Sequence, residues 1–256
     1  MGVPIFIFTA AFLVGLVMAS IEVGRRIRAR SADQKTSSGL SVIDGAVFGL
    51  MGLLLAFSFS GGVSRFDTRR ELIFQETNSI GTAWLRIDLL PEAVQPQIRD
   101  DFRAYLDARL AFYRDLPPNR AKALDELAAS DQLQKKIWDE SVAAAKQTGS
   151  PAALSLVVSS LNEMFDITTT RTVALQTHPP LPIYVTLVLL ALFSSLVAGY
   201  GMGDTGKRPW LHTLVYAAAL TLTVYTIIDL EFPRFGIIRV DRYDQALVNL
   251  RSSMKD

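Results

Sequence analysis

Four stretches without a single Asp, Glu, Lys or Arg constrain this chain most. Each is about twenty residues or slightly longer, which is enough for a helix rising 1.5 Å per residue to cross a hydrocarbon layer of ~30 Å. Buried helices of a soluble core are usually shorter, so they explain four such stretches with charged flanks poorly. We therefore predict a multi-pass protein of the plasma or inner membrane, with spans at residues 2–21, 45–64, 179–203 and 209–228.

The charged residues show that only part of the chain can lie in lipid, and they argue against several functions. The 26 basic and 25 acidic residues are interspersed and leave a net charge of +1. A nucleic-acid surface needs a basic stripe, so nucleic acid is not an expected partner. The chain has no cysteine, which excludes disulfides and thiolate metal sites. We expect neither a metal nor a cofactor.

No catalytic motif stands out, so an enzyme is not predicted. Residues 201–207 read GMGDTGK and have the GxxxxGK spacing of a phosphate-binding loop. That motif needs a preceding strand and a Ser or Thr after the lysine, whereas this chain has an apolar stretch and Arg208 at these places. We interpret the segment as a short turn between two spans.

The long middle of the chain has the pattern of helices outside the membrane. Apolar residues recur at helical spacing between Ser64 and Pro179. After Pro91 an apolar stripe that includes Phe102, Tyr105 and Leu106 is predicted beside charged residues such as Asp101 and Arg109. We predict that the next helix ends at Gly149, just before Pro151. We predict that the helix of the second span leaves the membrane and continues to about Leu89, just before Pro91. The expected fold is all-α with four transmembrane helices. Its parts are two spans with a short basic loop (1–64), a helical extramembrane module (65–178), two further spans (179–230) and a C-terminal tail (231–256).

Basic residues beside the spans leave the orientation in the membrane open. Four arginines and Lys35 between the first two spans, with Lys207 and Arg208 between the last two, argue that these loops are cytoplasmic. Arginines that flank the middle region, and others that follow the last span, argue for the opposite orientation. The two sets are nearly equal in number, so charge alone does not decide the sidedness.

One face of the second span carries small and apolar residues. Gly45, Gly49 and Gly52 follow each other at spacings of four and three, which lets helices approach closely in lipid. Leu53 and Phe57 stand four residues apart on the adjacent face. Such a row either packs against a neighbouring helix or lines an apolar constriction that closes by losing its water. Periodicity alone leaves both possibilities open.

The segment LLLAFSFSGGVSRFDTRRELIFQETN, residues 53–78, resembles the second transmembrane segment of bestrophin channels. Phe57 is followed by the aromatic-flanked Arg65 after eight residues, by Arg70 after five more and by Asn78 after a further eight. The chain is more similar still to the bestrophin-like family of unknown function from bacteria and plants. The motifs that carry this resemblance are LLLAFSFS (53–60), RFD (65–67), RR (69–70), NSIGTAWLR (78–86), DLLP (88–91) and IDLEFPRFGII (228–238).

The resemblance implies a ring of identical subunits, expected as a pentamer, through which monovalent ions cross the membrane. The second helix of each subunit would face the central pathway, with Gly49, Leu53 and Phe57 at a narrow apolar neck. Ser58 after the neck phenylalanine and the position of Asp67 depart from the bestrophin pattern, so ion selectivity does not transfer. The acidic cluster of the animal calcium clasp is missing after the last span, so calcium gating is not expected.

Charged residues follow the second and the last span. The three arginines between residues 65 and 70 either contact lipid headgroups or concentrate anions at a pore mouth, and both roles remain open. We expect Arg65 and Arg70 to pair with carboxylates such as Asp229 or Glu231, which lie too near the bilayer edge to favour a proton relay. The residues predicted at the pore mouth or in charge pairs between helices are Arg65, Asp67, Arg70, Asn78, Asp229 and Glu231.

Two functions of different classes therefore follow from the sequence. One is an oligomeric ion channel, which is anion-permeable if the arginines face the pathway. The other is a non-conducting structural or sensory membrane protein whose helical module binds a partner. Oligomeric state separates them, because a monomer or dimer cannot enclose a central pathway. Membrane lipid and further copies of the chain are expected partners in the first case.

Overall fold

The computed structural model describes residues 2–30, 38–116, 118–203 and 209–255, which form helices joined by short turns. Lys35, Lys207, Arg208 and most of the GMGDTGK segment lie outside the described residues. Within them there is no strand, and the prediction of an all-α fold is confirmed. The helices are α1 (Gly2–Arg30), α2 (Ser38–Leu85), α3 (Gln95–Asp115), α4 (Arg120–Gln147), α5 (Pro151–Gln176), α6 (Leu181–Gly201), α7 (Trp210–Glu231) and α8 (Gln245–Ser253).

Helical stretches long and apolar enough to cross a membrane occur at Phe8–Arg30, Val42–Leu89, Pro151–Gly201 and Trp210–Glu231. Each of them overlaps one of the uncharged stretches of the sequence, so the prediction of four spans is confirmed. α2 has 48 residues, which corresponds to about 72 Å at 1.5 Å per residue. Because this length is more than twice the thickness of the hydrocarbon layer, the polar second half of α2 lies outside the lipid.

Capping side chains and a glycine mark the ends of helices in the middle region. The side chain of Asn119 accepts a hydrogen bond from the backbone N–H of Lys122 at 3.1 Å and caps the start of α4. Ser150 caps α5 in the same way through the N–H of Ala153 at 3.3 Å. Between these helices Gly149 has a φ of 67°, a conformation that favours glycine and ends α4. The Gly149 stop agrees with the boundary predicted from the sequence.

By its internal contacts the chain divides into two compact units. We call Met1–Arg65 with His178–Ile238 the membrane unit, and Phe66–Thr177 with Arg239–Asp256 the polar unit. α2 contributes its first part to the membrane unit and its second part to the polar unit. The short C-terminal α8 belongs to the polar unit.

In the membrane unit, α1 packs along α6 and also contacts α7. A methyl group on Gly24 of α1 would overlap the carbonyl oxygen of Leu196, and one on Gly199 of α6 would overlap that of Ile21. This reciprocal pair of glycines lets the two backbones touch, as small residues do at helix interfaces in lipid. The buried apolar side chains of this unit are Val17, Ile21, Met51, Leu187, Ala191, Ala217, Leu220, Val224 and Ile227.

The polar unit buries the apolar stripe predicted for α3, which includes Phe102, Tyr105 and Leu106. α3 packs against α4, α4 packs against α5, and α8 contacts α3. The sequence pattern places Asp101 and Arg109 on the polar side of α3. The structure corrects this expectation, because both are buried and Arg109 has an exposed fraction of 0%. Their charges are compensated inside the unit, since Asp101 accepts a hydrogen bond from Nζ of Lys136 at 2.8 Å and Arg109 donates one to Glu76.

We expect Gly24→Ala to lower the free energy of unfolding by about 1–3 kcal/mol, because the new methyl group must push the backbone of α6 away. Gly15→Ala is the matched control on the same helix, since no atom of the described residues lies within 4 Å of the position its Cβ would take. Thermal unfolding of both purified variants in the same detergent measures the difference. Equal melting temperatures would contradict the close approach of α1 and α6 at Gly24.

Candidate functional site

Within the membrane unit, α2 has one covered and one uncovered face. On the covered face, Met51 is buried in the apolar core and Gly62 lies against the side chain of Leu230 in α7. On the uncovered face, the side chains of Leu53 and Phe57 are 53% and 68% exposed. Two residues along a helix correspond to about 200° of rotation, so Met51 and Leu53 point to opposite sides.

The uncovered face carries the residues predicted to form the neck. Gly49 is exposed, and nothing lies within 4 Å of the position its Cβ would take. The same holds for Gly45 and Gly52, which complete the small-residue spacing read from the sequence. Among the described residues of one chain, these three glycines therefore meet no neighbouring helix. Lipid, a second copy of the chain or the content of a pathway must cover this face.

A charge pair fixes the end of the membrane unit. The Nε of Arg65 in α2 donates to both carboxylate oxygens of Glu231 in α7, at 2.8 and 3.0 Å, and its Nη2 donates to Oε1 of the same carboxylate. The Glu231 side chain is 1% exposed, and Nδ1 of His178 lies 4.0 Å from Oε2. Several hydrogen bonds from one guanidinium to one buried carboxylate make a strong and geometrically specific pair. It holds α2 against α7 with Leu53 and Phe57 on the outer side.

Asp229, close to Glu231 in the sequence, stabilises the turn that follows α7. Its carboxylate accepts hydrogen bonds from the hydroxyl of Tyr225 at 2.9 Å and from the backbone N–H groups of Ile237 and Ile238 at 3.1 and 2.8 Å. A side chain at Gly236 would overlap this carboxylate, so the turn requires glycine there. Asp229 thus closes the turn that follows α7, a role that the sequence pattern did not indicate.

In the polar unit, α2 again has one exposed face. Asp67, Glu71 and Asn78 are exposed and follow each other at spacings of four and seven residues, which places them on one side of the helix. Arg69 and Glu76 point to the other side and are buried, with exposed fractions of 4% and 0%. The exposed side of this part of α2 therefore carries acidic and polar side chains together with Phe74, which is 39% exposed.

The arginines beside this acidic face are engaged in local contacts. Nε and Nη2 of Arg69 donate to the carbonyl oxygens of Ala174 and Thr177, at 3.2 and 2.9 Å, where α5 ends. A cation is favourable at a helix C-terminus, where carbonyl groups lack partners within the helix. Nη2 of Arg70 lies 3.2 Å from the carboxylate of Asp67, three residues earlier. Arg70 thus pairs within its own helix.

Glu76 holds the buried side of α2 in the core of the polar unit. Its carboxylate accepts a hydrogen bond from Nε of Arg109 in α3 at 2.8 Å and another from Nη1 of Arg171 in α5. Nη2 of Arg171 also lies 2.5 Å from the carboxylate of Asp244, which precedes α8. Two positive and two negative charges cancel in this cluster. It joins three helices and the C-terminal segment of the polar unit.

Tyr113 completes this buried cluster. Its hydroxyl donates to Glu76 at 3.1 Å, and the guanidinium of Arg171 lies over its ring, 3.5 Å from the centroid. Burial raises the pKa of Tyr113, so the phenol stays neutral and keeps its proton for this bond. The sequence did not reveal the cluster, although one signal was present: Glu76 lies at helical spacing between Ile73 and Ile80, which are both buried.

A groove of about 920 Å³ lies beside Asn78 in the polar unit, between α2 and α5. Polar side chains line it from both helices, including Gln75 of α2 and Asn162 of α5. Glu163 and Asp166 of α5 add two exposed carboxylates. The acidic surface of α2 therefore extends onto α5.

We expect Glu76→Gln to lower the free energy of unfolding by about 3–5 kcal/mol, because two buried guanidiniums lose the charge that compensates them. Glu71→Gln is the matched control: it makes the same change on the exposed side of the same helix and should alter stability by less than about 0.5 kcal/mol. Thermal unfolding in detergent compares the two variants. An unchanged melting temperature for Glu76→Gln would mean that the buried pairs are not formed.

Comparison with known proteins connects this arrangement to a family. A family profile described as a bestrophin-like domain matches residues 11–244. The crystal structure of a bacterial bestrophin homologue from Klebsiella pneumoniae is 18% identical, covers 96% of this chain and 98% of that chain, and has a TM-score of 0.66. A point variant of that homologue is 17% identical, covers 98% of this chain and 98% of that chain, and has a TM-score of 0.68. These similarities show the fold. No curated protein sequence matches the chain.

Proposed function

We propose that this chain, which belongs to the bestrophin-like family, assembles into a ring of identical subunits, expected as a pentamer, and conducts monovalent ions across the plasma or inner membrane. The observation that carries the proposal is the uncovered face of α2 with Gly49, Leu53 and Phe57. In a ring this face would turn toward the shared axis, so that each apolar side chain repeats around it.

The uncovered face carries small and polar residues beside its large apolar ones. A face toward lipid gains from large apolar side chains along its whole length. On this face the exposed Val42 and Leu50 stand beside Gly49, and Leu53 and Phe57 are followed by the exposed Ser60 and Ser64. In a ring, apolar side chains repeated around a narrow axis would form a constriction that gates by dewetting, with the serines next to it.

Exposed charges favour cations over anions in this proposal. Arg65 is paired with Glu231, and Arg70 is paired with Asp67, so both pairs are close to neutral. Glu71 is exposed and accepts a hydrogen bond from Gln75 at 3.3 Å. With the two groove carboxylates of α5, it gives the exposed polar surface a negative charge, which raises the local concentration of cations. An anion-permeable pore, predicted from the arginines alone, has less support.

The alternative is a non-conducting membrane protein whose polar unit binds a partner. Native mass spectrometry of the protein in detergent separates the two. A ring of several copies supports the pore, whereas a monomer or dimer leaves no central pathway and favours the alternative. Currents are therefore recorded from protein of verified ring stoichiometry.

We expect Phe57→Ala to raise the open probability or the conductance in planar bilayers, because a shorter apolar side chain widens the constriction and eases its wetting. Phe59→Ala is the matched control, since Phe59 is also exposed but lies about 200° away around α2. Single-channel recordings at equal protein density measure both variants. Wild-type currents from Phe57→Ala, or a silent wild-type ring, would contradict the proposal.

We expect Glu71→Gln to reduce the ratio of cation to anion permeability by roughly two- to tenfold, because one carboxylate per subunit is lost from the exposed surface. Reversal potentials under a potassium chloride gradient give this ratio. Glu92→Gln removes an exposed carboxylate from the turn before α3 and serves as the control. A preference for anions in the wild type would overturn the charge argument while leaving the ring intact.

A further inference from the structure

A cavity of about 280 Å³ opens at one end of the membrane unit, where α1, α6 and α7 meet. Its apolar wall includes Met18 and Ile21 of α1, and its charged rim follows on the next turn of the same helix. Both parts belong to the membrane unit alone. The residues of the rim are Glu22, Arg25 and Arg26, and Trp210 stands at the start of α7.

The cavity lies at the depth where hydrocarbon gives way to lipid headgroups. The uncharged stretch of α1 ends at Ile21 and Glu22 is the first charged residue after it, while the uncharged stretch of the last span begins at Pro209. Trp210 is 60% exposed beside this boundary. Tryptophan is enriched at membrane interfaces, because its ring is apolar and its N–H is polar. The apolar wall therefore faces acyl chains and the rim faces headgroups.

The rim has more positive than negative charge. Nε and Nη2 of Arg25 donate to the carboxylate of Glu22 at 3.0 and 3.1 Å, and Nε of Arg26 donates to the same carboxylate at 2.8 Å. Two guanidiniums thus share one carboxylate, which leaves an excess of one positive charge. Each guanidinium has five N–H donors, more than Glu22 occupies. Arg28 differs, because it is buried beside the ring of Tyr200.

We propose that this cavity binds the phosphate of an anionic phospholipid between Arg25 and Arg26, with an acyl chain of the same lipid along Met18 and Trp210. Arginine pairs phosphate through parallel N–H bonds, and basic pockets between membrane helices suit anionic headgroups. Free phosphate shares the headgroup chemistry but gains nothing from the apolar wall. The inference is independent of ion conduction.

The test measures lipid retained by the full-length protein in native mass spectrometry. The probes are phosphatidylglycerol, phosphatidylcholine and inorganic phosphate, each at the same concentration. We expect the wild type to retain phosphatidylglycerol in preference to the other two. The double variant Arg25→Gln/Arg26→Gln should bind phosphatidylglycerol roughly thirtyfold more weakly, since each arginine near an anionic headgroup contributes about 1 kcal/mol.

Two further variants separate the site from general attraction and from misfolding. Arg30→Gln removes a positive charge from the same helix outside the cavity, and it should leave binding within about twofold of the wild type. Glu22→Gln removes the competing carboxylate and should strengthen binding about fivefold, a gain that a misfolded protein cannot give. Equal loss in Arg30→Gln, no gain in Glu22→Gln, equal retention of phosphatidylcholine, or displacement by equimolar inorganic phosphate would each overturn the proposal.

Discussion

Within each unit the described residues hold the second helix from one side, and the other features of this protein depend on that constraint. In the membrane unit Met51 enters the apolar core and Arg65 is bound to the buried carboxylate of Glu231. In the polar unit Glu76 is enclosed by the guanidiniums of Arg109 and Arg171. A helix that rotated about its axis would break these contacts and leave charges buried without partners. In each unit the exposed face of α2 is therefore fixed by the contacts of its buried face.

Buried charge pairs fix the rotation of a helix through their specificity more than through the net stability they add. Removing charges from water costs about as much as their attraction returns, so a buried pair adds little net stability compared with apolar packing. A half-formed pair, in contrast, is very unfavourable, which penalises any alternative rotation of α2. The bonds from Glu76 to Arg109 and Arg171 span 33 and 95 residues of sequence. They set how α2, α3 and α5 are oriented within the polar unit.

The parts of the fold that are predictable from the sequence depend on local signals. The absence of charge over about twenty residues marks each span without reference to the others, and Gly149 marks the end of α4 through its own backbone conformation. The partners of Glu76 and Asp229 were not predictable, because the residues next to a carboxylate in the sequence do not indicate which distant donor binds it. Arg109 was misplaced for the same reason: a single charged residue within an apolar stripe looks exposed until its counter-charge is known. The neck and the pore-mouth residues came from a family resemblance and remain a proposal.

The glycines illustrate how the same spacing rule leads to different outcomes. The small-residue pattern of the second span, Gly45, Gly49 and Gly52, meets no helix among the described residues of its own chain, whereas Gly24 and Gly199 make the closest backbone approach. In lipid, helices associate through such close contacts because apolar surface alone gives no preference for protein over lipid. The small residues of α1 and α6 contact each other's helix. Those of α2 stay available for a contact outside the chain, and this follows from the packing of the membrane unit rather than from any assumption about conduction.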